Sequence, residues 1–407
     1  MGYIQRDLEE NIRNYIEKKE IIAIVGARQC GKTTLMEHIF KDLKRAVFIS
    51  FEDRKILSFF ENDIDSFAEL YVKNYDYLFI DEFQYAKNGG KNLKYIYDTI
   101  RIKIIISGSS SSELSIQSIK YLVGRIFVFT LYPLSFSEYL RYKQERMYLI
   151  YLKRNNFSKE VLFSLQKIYE EFVIYGGYPR VVLSENSEEK KVVLRNIYNT
   201  YLLKEVKEIM EIRDDYKIAK LIHGLALQIG SLINYHELSQ LTESNYRELL
   251  MYINILKKTF VISESRPFYE NKRKELTKNP KIYFIDNGFR NIILNNFQKK
   301  NERVDKGQLN ENFVSNELLK RNIELRYWRT KSKAEVDFII EKNSSIIPVE
   351  VKSDLRDIKI TRSLFSFMRK YKAKNSFVLS ESLQQDVKRE QFKIYFRPLF
   401  SIGTIAL

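Results

Sequence analysis

A multi-domain α/β fold follows from three observations on the 407-residue sequence. A glycine-rich loop, GARQCGKTT at 26–34, lies between an apolar run and an amphipathic stretch. Three helical stretches within 216–259 precede an alternating segment with a basic tip. Near the C-terminus, EVDFIIEKNSSIIPVEVKS at 335–353 reads as a hairpin with acids inside its strands. The chain is too long for one ordinary core, and the patterns divide it at 1–210, 211–285 and 286–407.

The first segment opens with the strongest signal. Residues 21–25, IIAIV, suit a buried strand, and 35–40 continue as a helix. Between them the loop fits G-x4-G-K-T. In such a loop the backbone of Gly26, Ala27, Arg28, Gln29, Cys30 and Gly31 curls so that N–H groups face phosphates. The helix N-terminus adds a favourable dipole. Lys32 reaches the β- and γ-phosphates, Thr33 holds Mg²⁺, and Thr34 completes the seat. ATP with Mg²⁺ is the expected cofactor. Residues 77–80 form a second buried run ending in Asp81 and Glu82. Asp81 is placed to contact the metal and Glu82 to polarise the attacking water.

Further strands are expected at 47–51 and 103–106. Strands alternating with helical stretches imply a parallel sheet. The strand at 103–106 ends in Ser107-Gly108-Ser109. A serine there could sense the γ-phosphate; Ser109 is the candidate, although the pattern does not separate the serines. Arg125 is either an arginine finger for a neighbouring subunit or a structural residue. Residues 133–210 read as mostly helical, a lid broken by YGGYP at 175–179.

Composition narrows the partners. Formal net charge is +16 with 44% hydrophobic and 29% charged residues, which suits a polyanionic partner such as nucleic acid. One cysteine, Cys30, rules out an intrachain disulfide, and three scattered histidines give no zinc-ligand spacing. The start, MGYIQRDLEEN, is charged and carries no apolar signal core. The apolar runs are strand-sized. A cytoplasmic protein without a membrane partner is expected.

GARQCGKTTL, LFIDEFQ, SGSSSSEL, LVGR with YPLSFSEYL, and YGGYP together resemble a family of AAA+-type ATPases common in archaea and bacteria. Members carry a C-terminal domain known as DUF4143. The resemblance runs from about Arg6 nearly to the end. It implies ATP hydrolysis, a nuclease-like C-terminal fold and assembly into a homo-oligomer, with a hexamer as the ring size common among AAA+ proteins. Cys30 departs from the small apolar residue usual at its position.

In the second segment, 216–233, 235–241 and 246–259 read as helices, with Ser244 or Asn245 as an N-cap. An alternating hairpin follows at 261–286. Three helices and a hairpin make a winged helix-turn-helix, whose recognition helix commonly enters the DNA major groove. Asn245, Tyr246 and Arg247 would face the groove, and Lys272, Arg273, Lys274 and Lys278 would meet phosphates. Such modules also serve as protein-contact surfaces.

In the third segment, a two-residue turn at Asn343 and Ser344 sets the register. Asp337 then faces Glu350, and Glu335 faces Lys352. Val336, Phe338, Ile340, Ile347, Val349 and Val351 take the opposite face. Two carboxylates a strand-width apart can hold Mg²⁺, and Lys352 can neutralise charge developing on a phosphate. D-x12-E-x-K is similar to the pattern of PD-(D/E)xK nucleases. Those folds add an acid from a preceding helix, here Glu311, with Glu317 as a second candidate. A strand at 325–328, a helix at 361–371 and a strand at 376–379 complete the pattern. The alternative is a wet strand face whose acids do nothing but solvate.

The sequence thus predicts an ATPase acting on DNA, with metal-dependent cleavage by its C-terminal segment as an added activity. The alternative is a slow ATPase switch whose terminal segments bind a protein partner.

Overall fold

The computed structural model describes every residue except 1, 88, 109–118, 155, 201–214, 272, 274, 276–277, 343–344, 354, 356 and 406–407. The chain divides into two compact units by packing. One is Met1–Pro133 with Asn254–Val261, and the other is Leu134–Ile253 with Ile262–Leu407.

The first unit is built on β1 (Ile21–Gly26), β2 (Ala46–Ser50), β3 (Tyr77–Asp81), β4 (Lys103–Gly108) and β5 (Ile126–Leu131). Their order in the sheet is β2-β3-β4-β1-β5, and every neighbouring pair is parallel. Runs such as IIAIV and KIII have no polar face because both sides of the sheet are covered. Ile21, Ala23 and Val25 enter one core cluster, while Ile22 and Ile24 enter the other. The returning segment contributes Phe260, which packs against both clusters. β5 is additional to the strands expected from sequence. It lies at the edge of the sheet, with Val128 half exposed. Because the strands are parallel, Gly26 on β1 and Asp81 on β3 lie at the same edge, with β4 between them.

In the second unit, the expected lid helices include Phe136–Lys143, Glu145–Lys153 and Lys159–Tyr175. Their core lies within this unit. The ring of Phe136 meets those of Tyr151, Tyr169, Phe172, Phe313 and Phe400. Such aromatic clusters bury large apolar areas.

YGGYP is explained by close approach. Gly176 has φ 77°, and a Cβ there would meet Asp286 Oδ1 at 2.0 Å. The Gly177 N–H donates to Asp286 Oδ2 at 2.7 Å. Asp286 is buried, and burial raises its pKa. Any side chain at 176 would displace the carboxylate that caps the helix Asn287–Ile293.

Helices Asp215–Leu227, Tyr235–Thr242 and Tyr246–Lys258 occur in the expected order. They precede β6 (Ile262–Pro267) and β7 (Lys281–Phe284), which pair antiparallel. The first helix ends before 233 because Gly230 turns with φ 68°, and Leu232 then bridges Lys281. β6 also pairs with β8 (Arg326–Arg329). The hairpin therefore shares a four-stranded sheet with β8 and β9 (Glu335–Val336) from the C-terminal segment.

The helix Lys306–Lys320 precedes β8. β9 leads into β10 (Phe338–Lys342) and β11 (Ser345–Lys352), then the helix Arg362–Tyr371. β12 (Asn375–Ser380), β13 (Gln385–Arg389) and β14 (Phe392–Pro398) complete the chain's strands among the described residues. The second five-stranded sheet has the order β10-β11-β12-β14-β13, with β12 parallel to β11. Phe338 lies opposite Val349 and Lys342 opposite Ser345, the register expected for this hairpin, whose turn residues lie outside the described set.

Two details differ. The strand expected through Glu335–Lys342 breaks at Asp337, because β9 pairs with β8 while β10 pairs with β11. Glu335 therefore lies opposite Arg329 and not Lys352. Both hairpin faces are also buried: Phe338, Ile339 and Ile340 are each 1% exposed.

Candidate functional site

The first unit concentrates its polar chemistry at the ends of β1, β3 and β4. Gly26 leaves β1 with φ 155°, and a Cβ there would meet Leu131 O at 2.0 Å. Gln29 and Gly31 also take positive φ, and the helix Lys32–Phe40 starts directly after Gly31. The Lys32 ammonium is buried in the loop's concavity, donating to Gly26 O and Ala27 O at 3.0 Å each. Arg28, Gln29 and Thr34 are exposed around it.

Thr33 Oγ1 donates to Asp81 Oδ2 at 2.8 Å. Ser107 Oγ donates to the other carboxylate oxygen, and the Glu82 N–H donates to Ser107 Oγ at 3.1 Å. The hydroxyl and carboxylate thus converge as hard oxygen donors of the kind Mg²⁺ takes. Glu82 follows in a left-handed conformation, φ 54°, with Gln84 donating to its carboxylate.

Ser107, which the sequence does not separate from its neighbours, is the described serine at this site; Ser109 lies outside the described residues. Arg6 carries no sequence signal for a role here. Its guanidinium donates to Cys30 O at 2.9 Å and Tyr132 O at 2.6 Å, bracing the loop from behind. Cys30 is fully buried, with Sγ 3.3 Å from Leu131 O, an inert setting for a thiol. Arg125 Nε donates to Asp98 Oδ1 at 3.1 Å within its own chain.

The second unit gathers its charges around the hairpin. At the break between β9 and β10, Asp337 turns to accept the Val351 N–H at 2.7 Å. Lys352 Nζ lies 4.0 Å from Asp337 Oδ2 and 4.0 Å from Glu350 Oε2. Glu350 is 1% exposed. Its Oε1 accepts from Thr361 at 2.6 Å, while its Oε2 is buried without a hydrogen-bond partner. Burial raises Glu350 to about 7, and Asp337 adds to this against the pull of Lys352 and Thr361. The orphan oxygen beside a second carboxylate fits a divalent cation bound by Asp337 and Glu350.

Glu311 does not complete a three-acid cage. Lys281 Nζ from β7 pairs with it at 2.9 Å, and the Tyr283 hydroxyl donates to it at 2.5 Å. Lys281 also meets Glu335 at 2.5 Å. Among the described residues no group of three His, Cys, Asp or Glu side chains is arranged to hold a metal. Lys281 is 1% exposed. Burial opposes its charge, but Glu311, Asp337 and Glu335 raise its pKa on balance. Glu311 is raised to about 7, by burial first and then by Asp337, against Lys281. Glu317 lies elsewhere, accepting the Phe136 N–H at 3.2 Å and pairing with Lys320.

These shifts set a pH dependence. Glu311 and Glu350 move from 4.5 to about 7 on folding. The folded unit therefore keeps protons that the unfolded chain releases between those values. Stability is expected to fall as pH rises from 4.5 towards 7 and to level off at higher pH. The chain's one tryptophan, Trp328, sits in the second unit's core. Its fluorescence during urea unfolding in chelator, from about pH 5 to about pH 8, reads this trend. A flat or rising profile would contradict it.

Of the groove-facing candidates, Asn245 is spent as a cap: it accepts the Glu248 N–H at 3.0 Å, and its own N–H donates to Glu248. Tyr246 and Arg247 are exposed on the next turn. Arg273 is exposed, while Lys272 and Lys274 lie outside the described residues.

Residues 18–140 match the family model described as AAA domain, 166–300 match DUF8612, a domain of unknown function, and 306–399 match DUF4143, also of unknown function. The chain therefore carries an AAA-type P-loop ATPase domain and a DUF4143 domain. It is 27% identical over 276 residues to an uncharacterised protein of Haemophilus influenzae, covering 67% of this chain and 64%, less than two thirds, of that protein. An uncharacterised protein of Methanocaldococcus jannaschii is 26% identical over 407 residues, 93% of this chain and 84% of its own. Among solved structures, a Walker-type ATPase of Pyrococcus abyssi is similar with a TM-score of 0.47 and 16% identity, over 72% of this chain and 96% of that one. The Aeropyrum pernix Orc1 protein in complex with DNA has a TM-score of 0.31 and 11% identity, over 72% and 92%. No helix among the described residues is long and apolar enough to cross a membrane.

Proposed function

We propose that this AAA-domain, DUF4143-domain protein hydrolyses ATP and couples the turnover to engagement of DNA, which its C-terminal hairpin site cuts. The observation that carries the ATPase reading is the convergence of Lys32, Thr33, Asp81 and Ser107 at one sheet edge. Lys32 would neutralise charge on the transferred phosphate, Thr33 and Asp81 would hold Mg²⁺, and Glu82 would orient the attacking water. Ser107 fixes Asp81 and the backbone of Glu82 together. Arg125, released from Asp98, would act across a subunit boundary in a homo-oligomer.

Cleavage is supported by the equidistance of Lys352 from Asp337 and Glu350. A divalent cation held by those carboxylates would supply water activation and charge neutralisation. Lys352 would face the scissile phosphate and stabilise the charge that develops on it. In this reading the helices at 215–258 with β6 and β7 serve as a winged helix, with the exposed Arg247 and Arg273 available to phosphates. We assign the protein to the cytoplasm.

The test uses labelled single-stranded, duplex and four-way-junction DNA with Mg²⁺ or Mn²⁺, with and without ATP. Metal-dependent cutting that drops by at least about 100-fold in Asp337→Ala is expected. Cutting that survives the substitution, or none on any substrate, would remove the nuclease role.

A second reading rests on a specific surface. Leu241, Tyr246, Leu250 and Met251 are exposed on the second and third helices of the middle segment. Arg247 is the one cation among the described residues exposed in the first two turns of Tyr246–Lys258. An apolar face of this kind suits a protein partner more than a phosphate backbone. In that reading the ATPase is a slow switch, and ATP turnover is indifferent to DNA.

A further inference from the structure

The helix Arg362–Tyr371 starts beside the hairpin acids and has a groove of about 620 Å³ along its outer side. Thr361 links the two places, since it caps this helix and donates to Glu350 Oε1. Four cations line the groove: Arg362, Arg369 and Lys370 from the helix, and Arg389 from β13. All four are exposed. Phe365 lies among them, with the Arg369 guanidinium 4.5 Å and the Arg389 guanidinium 4.7 Å from its ring centre. The ring pre-orients both guanidiniums in a way that a flexible surface lysine would lack. Among the described residues the groove lining holds no acid; Glu390, next to it, pairs with Arg369 at 2.6 Å.

We infer that this groove is the track for a nucleic-acid phosphodiester backbone and delivers it to the hairpin site. The inference rests on the proposed DNA function and names a surface that the winged-helix candidates do not include. Spacing supports it. Arg362 and Arg369 are seven residues apart on one helix face, a rise of about 10.5 Å. That separation lets the two arginines reach different phosphates of one strand. Guanidinium groups take phosphate oxygens bidentately, and those stacked on Phe365 are held in place before the strand arrives.

The test compares the full chain with Arg362→Gln/Arg389→Gln and, separately, Arg247→Gln/Arg273→Gln. Binding to labelled duplex and single-stranded DNA is measured by anisotropy across a salt series. The two substituted arginines are exposed, so the variant keeps the parent's circular dichroism. The groove variant is expected to raise Kd at least about tenfold, and to shrink the slope of log Kd against log salt by about 2. The other variant should change Kd less. If the parent binds DNA and the groove variant matches it in Kd and slope, the track is wrong and the DNA reading survives on another surface. If the parent binds neither DNA, both readings fall together.

Discussion

Replacing Lys32 by alanine is expected to lower ATP turnover at least about 100-fold, the scale on which a single pre-organised charge contact counts in a transition state. The ammonium is held by Gly26 O and Ala27 O at 3.0 Å. It is therefore anchored within the loop's concavity, where the loop's N–H groups would meet phosphates. Both bonds are to its own loop, so the substitution should leave the unit's fold and circular dichroism unchanged. Phosphate release at saturating ATP and Mg²⁺ reads the effect. A variant within about threefold of the parent would mean that Lys32 does not face the transferred phosphate.

The second large effect concerns stability. Lys281→Ala is expected to cost about 3–5 kcal/mol near pH 8, the range for breaking a buried ion pair by removing one partner. Glu311 would be left buried without its ammonium, with the Tyr283 hydroxyl still donating to it. Its pKa is already raised to about 7 by burial. Below that pH it takes a proton and no longer needs the ammonium. The deficit should therefore shrink as pH falls from about 8 to about 5. Trp328 fluorescence in urea follows the second unit specifically. Lys281→Met with Glu311→Gln should recover most of the loss, because neither partner is then a stranded charge. An equal deficit at both pH values would show that the pair's charges are not what stabilises this corner.

The sequence makes local chemistry readable and leaves long-range chemistry hidden. The loop at 26–33, the strand ending at Asp81 and the register of Phe338 against Val349 arise from patterns a few residues long. The break at Asp337 does not, because it comes from competition between β8 and β11 for one strand. The partner of Glu311 could not be read either. Lys281 comes from a hairpin 30 positions away, and its residue type there looks like an ordinary basic strand end. Arg6 is hidden for the same reason: one of its carbonyl partners, at Tyr132, lies at the far end of the unit's main stretch. Asn245 illustrates the opposite case. Its cap is visible in the sequence, and that cap spends the side chain expected to read a groove.

The return of Asn254–Val261 to the first unit bears on how such a gene can be rearranged. Phe260 belongs to the nucleotide-binding core although the whole of Leu134–Ile253 separates it from Pro133, where that unit's main stretch ends. A recombination junction placed just after Pro133 would therefore deliver an incomplete hydrophobic core. A chimera that keeps the first unit's core must carry the 254–261 segment with it.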